Sequence, residues 1–379
     1  MTWSSPQRPV HRDRRSGRAS VAALGVGAVL VPSLVACLVA AVAGGLFRAG
    51  LGVPAFLADV PGLGPAIAMH AALMLSGFFG TVISAERAIA SRSTWAFGAP
   101  LASGIAGLLL LGGLTSMATW LSVAATSMFV VLSLVPLRRG ATPRAVVSLL
   151  GGLAWWYASL LFALGRGGDA ALLGWFLFPV LTIIAERLDA SRPVSRPAGV
   201  ACASLVALLL LAAVTESMAP NVGKLLFGAS LVAMAVWLLV FDAARRTVFA
   251  TGLARYSAVC LLAAYGWLAV SGIAWIGLAS GFPDRDMALH ALGLGFLMSM
   301  VMGQAPIALP ASTRLGVMFG AWFYLPVALL QISLAVRVFG GLDDPALRLL
   351  GAELNAVALA LFALTLASSA IAHRLATPV

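Results

Sequence analysis

The chain has 379 residues, 61% of them hydrophobic and only 10% charged, a formal net charge of +11 and a mean hydropathy of +1.02. This balance excludes a soluble core, and apolar runs near the ~20 residues that cross a bilayer make the chain an integral membrane protein. A sequence pI of about 11.1 invites a nucleic-acid role, but the basic residues are dispersed among short loops rather than gathered into a patch, so no nucleic-acid partner is expected.

In chain order, a basic tail over residues 1–20 precedes one transmembrane domain over 21–372. The first span, 21–46, is too long to be the apolar part of a cleaved signal and is expected to be a retained helix. The second runs from 65 to 87, opens near His70 and closes on Glu86-Arg87. Spans at 95–113, 117–137 and 145–164 follow, and a sixth at 169–187 closes on Glu186-Arg187. The last six fall at 199–215, 221–241, 256–281, 287–309, 316–338 and 346–372. Twelve is even, so both termini share one side. Of the 24 Lys and Arg residues, all but Arg48, Arg166, Lys224, Arg285, Arg337 and Arg348 lie in the tail or in loops after even-numbered spans. The positive-inside rule therefore puts both termini in the cytoplasm, in a bacterial-type cytoplasmic membrane.

The chain repeats itself. TVISAERAIASR (81–92) and LTIIAERLDASR (181–192) are nearly one text at an offset of 100 residues, four spans apart, and four more spans lead to the helix that begins at His290. The expected fold is an all-α polytopic membrane protein with twelve transmembrane helices in three quasi-repeated four-helix arcs, roughly 21–137, 145–241 and 256–372. An even offset keeps the copies parallel, unlike the inverted repeats of many secondary transporters. The two Glu-Arg pairs (Glu86, Arg87, Glu186, Arg187) are expected to be structural ion pairs that pin helix ends near the inner interface.

His70 and His290 are the only histidines inside apolar segments, since His11 is in the tail and His373 at the inner end of the last span. Both sit about one to one and a half turns below the outer helix ends, ~6–8 Å deep. Two neutral imidazoles at one depth on facing helices suit axial ligation of one haem iron, with Gly77 and Gly293 as small neighbours that let a macrocycle approach. The blander alternative is that each histidine hydrogen-bonds a neighbouring helix. The Glu-Arg pair lies sixteen residues beyond His70, ~24 Å away, and belongs to a different place. Outer-side Arg48, Arg285 and Arg337 are candidate partners for haem propionates. Glu353 and Asn355, early in the last span, are either hydrogen-bonded packing groups or a proton-handling site. Cys37, Cys202 and Cys260 are isolated, with no spacing for a disulfide framework, a zinc site or covalently attached haem.

The segments MHAALMLSGFFGTVISAERAIASR and ALHALGLGFLMSMVMGQAPIALPA resemble the NnrS-like membrane proteins. The twelve-helix, three-arc plan is similar to the catalytic subunit of haem–copper oxidases. That resemblance implies a low-spin haem near the outer face held by His70 and His290. The chain departs from it in lacking the further histidines on the sixth, seventh and tenth spans that a copper site and second haem need, and in reading His70-Ala71-Ala72 where NnrS proteins often carry His-x-His. One b-type haem is thus expected, without copper and without autonomous oxidase or nitric oxide reductase activity. The implied role is electron transfer or nitric oxide response, with the lipid bilayer and a quinol or cytochrome as partners. The alternative is a haem-free permease whose polar path includes Glu353, Asn355, Gln304 and Gln331.

Overall fold

A computed structural model describes residues 14–91, 93–190, 195–282, 285–313 and 316–376. His11, most of the basic tail, Arg92, Arg192, Asp284 and Arg314 lie outside the described residues. The described chain is helical, with no strand, and contains twelve helices long and apolar enough to cross a membrane. They are α1 (Gly27–Ala49), α2 (His70–Ser91), α3 (Thr94–Leu111), α4 (Thr115–Arg138), α5 (Pro143–Ala163), α6 (Asp169–Leu188), α7 (Arg196–Glu216), α8 (Pro220–Phe241), α9 (Gly252–Ala279), α10 (Arg285–Pro310), α11 (Ala321–Leu342) and α12 (Pro345–Ala376). This is the architecture of a multi-pass membrane protein.

Local chemistry places the helix ends. α5, α7 and α8 each begin with a proline in the first turn, where its missing N–H costs nothing. Thr142 caps α5 by accepting from the Ala145 N–H at 3.2 Å. Gly165 and Gly281, at φ 71° and 90°, close the turns after α5 and α9 in the left-handed region. Several hydroxyls within the apolar layer are satisfied inside their own helices, as Thr81 Oγ1 donates to the Gly77 carbonyl at 2.6 Å and Ser84 Oγ to the Gly80 carbonyl at 2.5 Å.

Each helix packs on its neighbour in sequence, and α1 meets α12. Among the twelve, α2, α6 and α10 are the most buried and α1 and α12 the least, with α6 packed against both α2 and α10. These three helices, each four spans apart, line the middle of the bundle. α8 and α9 cross closely because Gly228 and Gly272 face each other. A Cβ on Gly228 would stand 2.5 Å from the Gly272 carbonyl oxygen, and one on Gly272 2.6 Å from that of Gly228.

Two features were not expected from the sequence. A short helix, Leu63–Ala68, precedes α2 and is separated from it by a kink at Met69 (φ −104°, ψ 18°), so His70 opens the continuous helix rather than lying a turn inside it. Both histidine helices also widen into π-helix just after their histidine, over Leu73–Gly80 in α2 and Ala291–Met298 in α10. Such i→i+5 turns are rare and mostly short, and they gather at functional sites.

Candidate functional site

His70 is held against α1. Its Nδ1 lies 2.5 Å from the carbonyl oxygen of Ala41, which can only accept, so Nδ1 carries the proton and Nε2 keeps a free lone pair. α1 comes this close because Gly45, one turn further on, has no side chain: a Cβ there would stand 2.8 Å from His70 Cε1.

His290 is held within its own helix. Its Nδ1 lies 3.0 Å from the backbone oxygen of Asp286 and 3.0 Å from Asp286 Oδ1, one helical turn earlier. The buried guanidinium of Arg337 on α11 clasps the same carboxylate, Nε to Oδ2 at 2.9 Å and Nη2 to Oδ1 at 2.7 Å. Nη2 also stands 3.1 Å from His290 Nε2. The two imidazole rings face one another across α2 and α10 with centroids 6.4 Å apart and planes 28° from parallel.

Around them is a cavity of about 550 Å³, within the ~300–1,000 Å³ of small-molecule and cofactor sites. Its depth is apolar, walled by Met74, Phe79, Leu172, Trp175, Phe176 and Met298. Its mouth is cationic, with Arg48, Arg285, Arg337 and Arg348 among the lining residues and Asp286 as the one carboxylate among the described residues. Arg285 pairs with Asp169 on α6, which also binds Lys224 at 3.0 Å. Arg48 Nη1 reaches the Ile67 carbonyl at 3.5 Å, and Arg348 donates to the Gly341 carbonyl. An amphiphile with an apolar body and anionic groups at one edge matches this division of charge.

The residues suit a haem between the rings. With a metal–imidazole bond of about 2.0–2.1 Å and a ring nitrogen about 1 Å from its ring centre, two axial imidazoles stand about 6 Å apart centre to centre. The observed 6.4 Å agrees. Both Nδ1 atoms rest on oxygen acceptors, the outer arrangement that fixes ring orientation in metal-bound histidines. One contact must give way, since Arg337 Nη2 lies where an iron would meet His290 Nε2. Among the described residues no group of three or more His, Cys, Asp or Glu side chains converges on a point; a haem held by two axial nitrogens is not such a group.

Of the residues singled out in the sequence, His70, His290, Gly293, Arg48, Arg285 and Arg337 line this one cavity. Gly77 does not, which corrects its expected place beside His70. A Cβ on Gly77 would meet Cys37 Sγ at 3.1 Å, so this glycine admits α1 rather than a macrocycle. Both residues meet α1, His70 at the Ala41 carbonyl and Gly77 at Cys37 one turn away, so the glycine serves the α1–α2 contact. Gly45, Ala41 and the bond between Asp286 and Arg337 were missed. The Asp-x-x-x-His spacing of 286–290 was a usable signal, because residues four apart share a helix face.

The Glu-Arg pairs gather at the other end of α2 and α6. Arg87 Nη2 donates to Ser148 Oγ on α5 at 2.5 Å, and Glu86, Arg87, Arg144, Glu186 and Arg187 interact electrostatically. Glu86 is the exposed member, and Glu186 and Arg187 are half-buried. We expect Arg87→Ala to lower stability by about 1–3 kcal/mol through the lost charged hydrogen bond, read as the midpoint of thermal unfolding in detergent, with the histidine cavity untouched. Gln331 is engaged elsewhere, accepting from Trp267 Nε1 at 2.6 Å and donating to Ser299 Oγ at 2.9 Å. Asn355 lines the cavity and pairs with Ser333 Oγ at 2.6 Å; Glu353 is half-buried beside it.

The chain belongs to the family of the domain of unknown function DUF8744, which matches residues 27–371 and so runs from α1 into α12. No curated protein and no solved structure matches the chain.

Proposed function

We propose that this protein binds one b-type haem in the outer half of the membrane, with His70 and His290 as axial ligands, and that it serves electron transfer or a nitric oxide response. The single observation that carries this reading is the facing pair of imidazoles at 6.4 Å, each with Nδ1 on an oxygen acceptor, which leaves Nε2 of His70 to bind and that of His290 to bind once Arg337 Nη2 leaves it. Bound there, the haem supplies a one-electron iron couple. The chain's own contribution is to orient both rings, to keep the pocket apolar around Trp175 and Phe176, and to set arginines at its mouth. Arg48, Arg285 and Arg337 would meet the propionates by charge-assisted hydrogen bonds, Arg337 after leaving His290 Nε2.

The reading extends to architecture and place. The three inner helices α2, α6 and α10 support three quasi-repeated arcs on a plan like that of NnrS proteins and the haem–copper oxidase catalytic subunit. The arginine asymmetry supports cytoplasmic termini in a bacterial-type cytoplasmic membrane, where a quinol or cytochrome would be the redox partner. Copper and autonomous oxygen or nitric oxide reduction are not part of this reading, because His11 and His373 are the only further histidines and the topology puts both on the inner side. The haem reading is preferred over a permease because Gln331, one member of the supposed polar path, is bonded to Trp267 and Ser299 outside the cavity lining.

The test is the visible spectrum and haem content of the protein purified from cells supplied with haem precursor. One haem per chain with six-coordinate, low-spin bands on reduction is expected. A colourless protein, or full haem content after replacing both His70 and His290 by alanine, overturns the reading.

A further inference from the structure

The two histidines differ in what stands behind them. His290 has a carboxylate on its Nδ1, Asp286 Oδ1 at 3.0 Å, on the same helix and one turn away. That carboxylate is fixed by the two bonds from Arg337, which is only 7% exposed. His70 has only the neutral carbonyl of Ala41, on a different helix. That helix, α1, is the least buried of the twelve, and His70 itself follows the kink at Met69.

An anionic acceptor on Nδ1–H raises the basicity of the other ring nitrogen more than a neutral carbonyl does, and it stabilises the higher charge on a bound metal. A partner on the same helical turn also keeps its position when helices shift. We infer that His290 is the permanent ligand, strengthened by Asp286, and that His70 is the exchangeable one, so that a small external ligand such as carbon monoxide enters on the α1–α2 side. Asp286 acts here as a positioning residue that works through His290. Arg337 sets the strength of its effect, because a carboxylate shared with a guanidinium withdraws less proton density from the imidazole than a free one.

This inference rests on the haem reading, and the experiment separates the two. Haem content, the midpoint potential and carbon monoxide binding by the reduced protein are measured for the wild type and for His70→Ala, His290→Ala, Asp286→Asn and Asp286→Glu. In the wild type, carbon monoxide is expected to replace one axial ligand slowly. His70→Ala should keep most of its haem, become five-coordinate and bind carbon monoxide at once, whereas His290→Ala should retain about a tenth or less of the haem. Asp286→Asn keeps the size of the side chain and one oxygen to accept from Arg337 or His290 but loses the charge. Its midpoint potential should rise, with ferric over ferrous preference reduced about tenfold, or 59 mV for a one-electron couple, and Asp286→Glu should recover part of that shift.

Equal haem loss in the two histidine variants, greater loss in His70→Ala, or an Asp286→Asn potential that is unchanged or lower overturns the inference while leaving the haem reading standing. Should Asp286→Asn fail to accumulate, the histidine pair decides alone. A colourless wild-type protein overturns the haem reading and this inference with it.

Discussion

Arg337→Ala is expected to destabilise the protein by about 3–5 kcal/mol, the range found when one partner of a buried ion pair is removed. Arg337 is 7% exposed and spends three nitrogen contacts on its surroundings, two on Asp286 and one on His290 Nε2. Removing it leaves the Asp286 carboxylate, itself only 20% exposed, with His290 Nδ1 as its one remaining partner in this group. The loss also unpins α11, since Gly351 of α12 packs directly on the Arg337 backbone. Arg337→Lys restores charge but not the two-pronged grip, and should fall between wild type and alanine. Unfolding of the three proteins in one detergent gives the order. If Arg337→Ala unfolds within 1 kcal/mol of the wild type, the clasp is not a stabilising element.

The second large effect is expected at the α8–α9 crossing. Gly272→Ala puts a methyl 2.6 Å from the Gly228 carbonyl oxygen and 2.9 Å from the Val232 nitrogen. Val232 Cγ2 lies at 2.7 Å as well, but turning that side chain aside leaves both backbone contacts, so the helices themselves must separate. Overpacking costs about 1–3 kcal/mol, and a contact with no flexible partner belongs at the upper end. Gly199→Ala on α7 is the control, because nothing lies within 4 Å of its added methyl, and alanine in a helix is favoured over glycine by about 0.5–1 kcal/mol. Equal stability of the two variants would show that the crossing is looser than the structure has it.

What the sequence made legible follows from which interactions act locally. Twelve spans could be read because each is a run of apolar residues long enough to cross a bilayer, and the structure has the same twelve with ends moved by a few residues. His70 and His290 could be paired because each is the one histidine of an apolar helix at comparable depth, and the cavity between α2 and α10 is lined by both. Gly77 was misplaced because the neighbour that needs its missing side chain, Cys37, lies on another helix, and nothing in LMLSGFFG announces a change of hydrogen-bond register over Leu73–Gly80. The kink at Met69 was hidden for the same reason. The grip of Arg337 on Asp286 joins residues 51 positions apart on two helices; it depends on how α10 and α11 rotate against each other, which no local pattern encodes. The same holds for Gly45, whose value lies in the ring it admits from another helix.

The three native thiols have a practical bearing on which way the chain lies in its membrane. Cys37, Cys202 and Cys260 are each 2% exposed or less, and Cys37 is wedged against Gly77 and Gly107. Water-borne maleimides therefore have no ready target on the folded wild-type protein, which is already a silent background for side-specific labelling. A cysteine placed at Met218, 83% exposed between α7 and α8, or at Phe249, 87% exposed between α8 and α9, becomes the sole reporter on its face. With cytoplasmic termini, an impermeant reagent added to intact cells modifies the first and spares the second, and inverted vesicles exchange the two results.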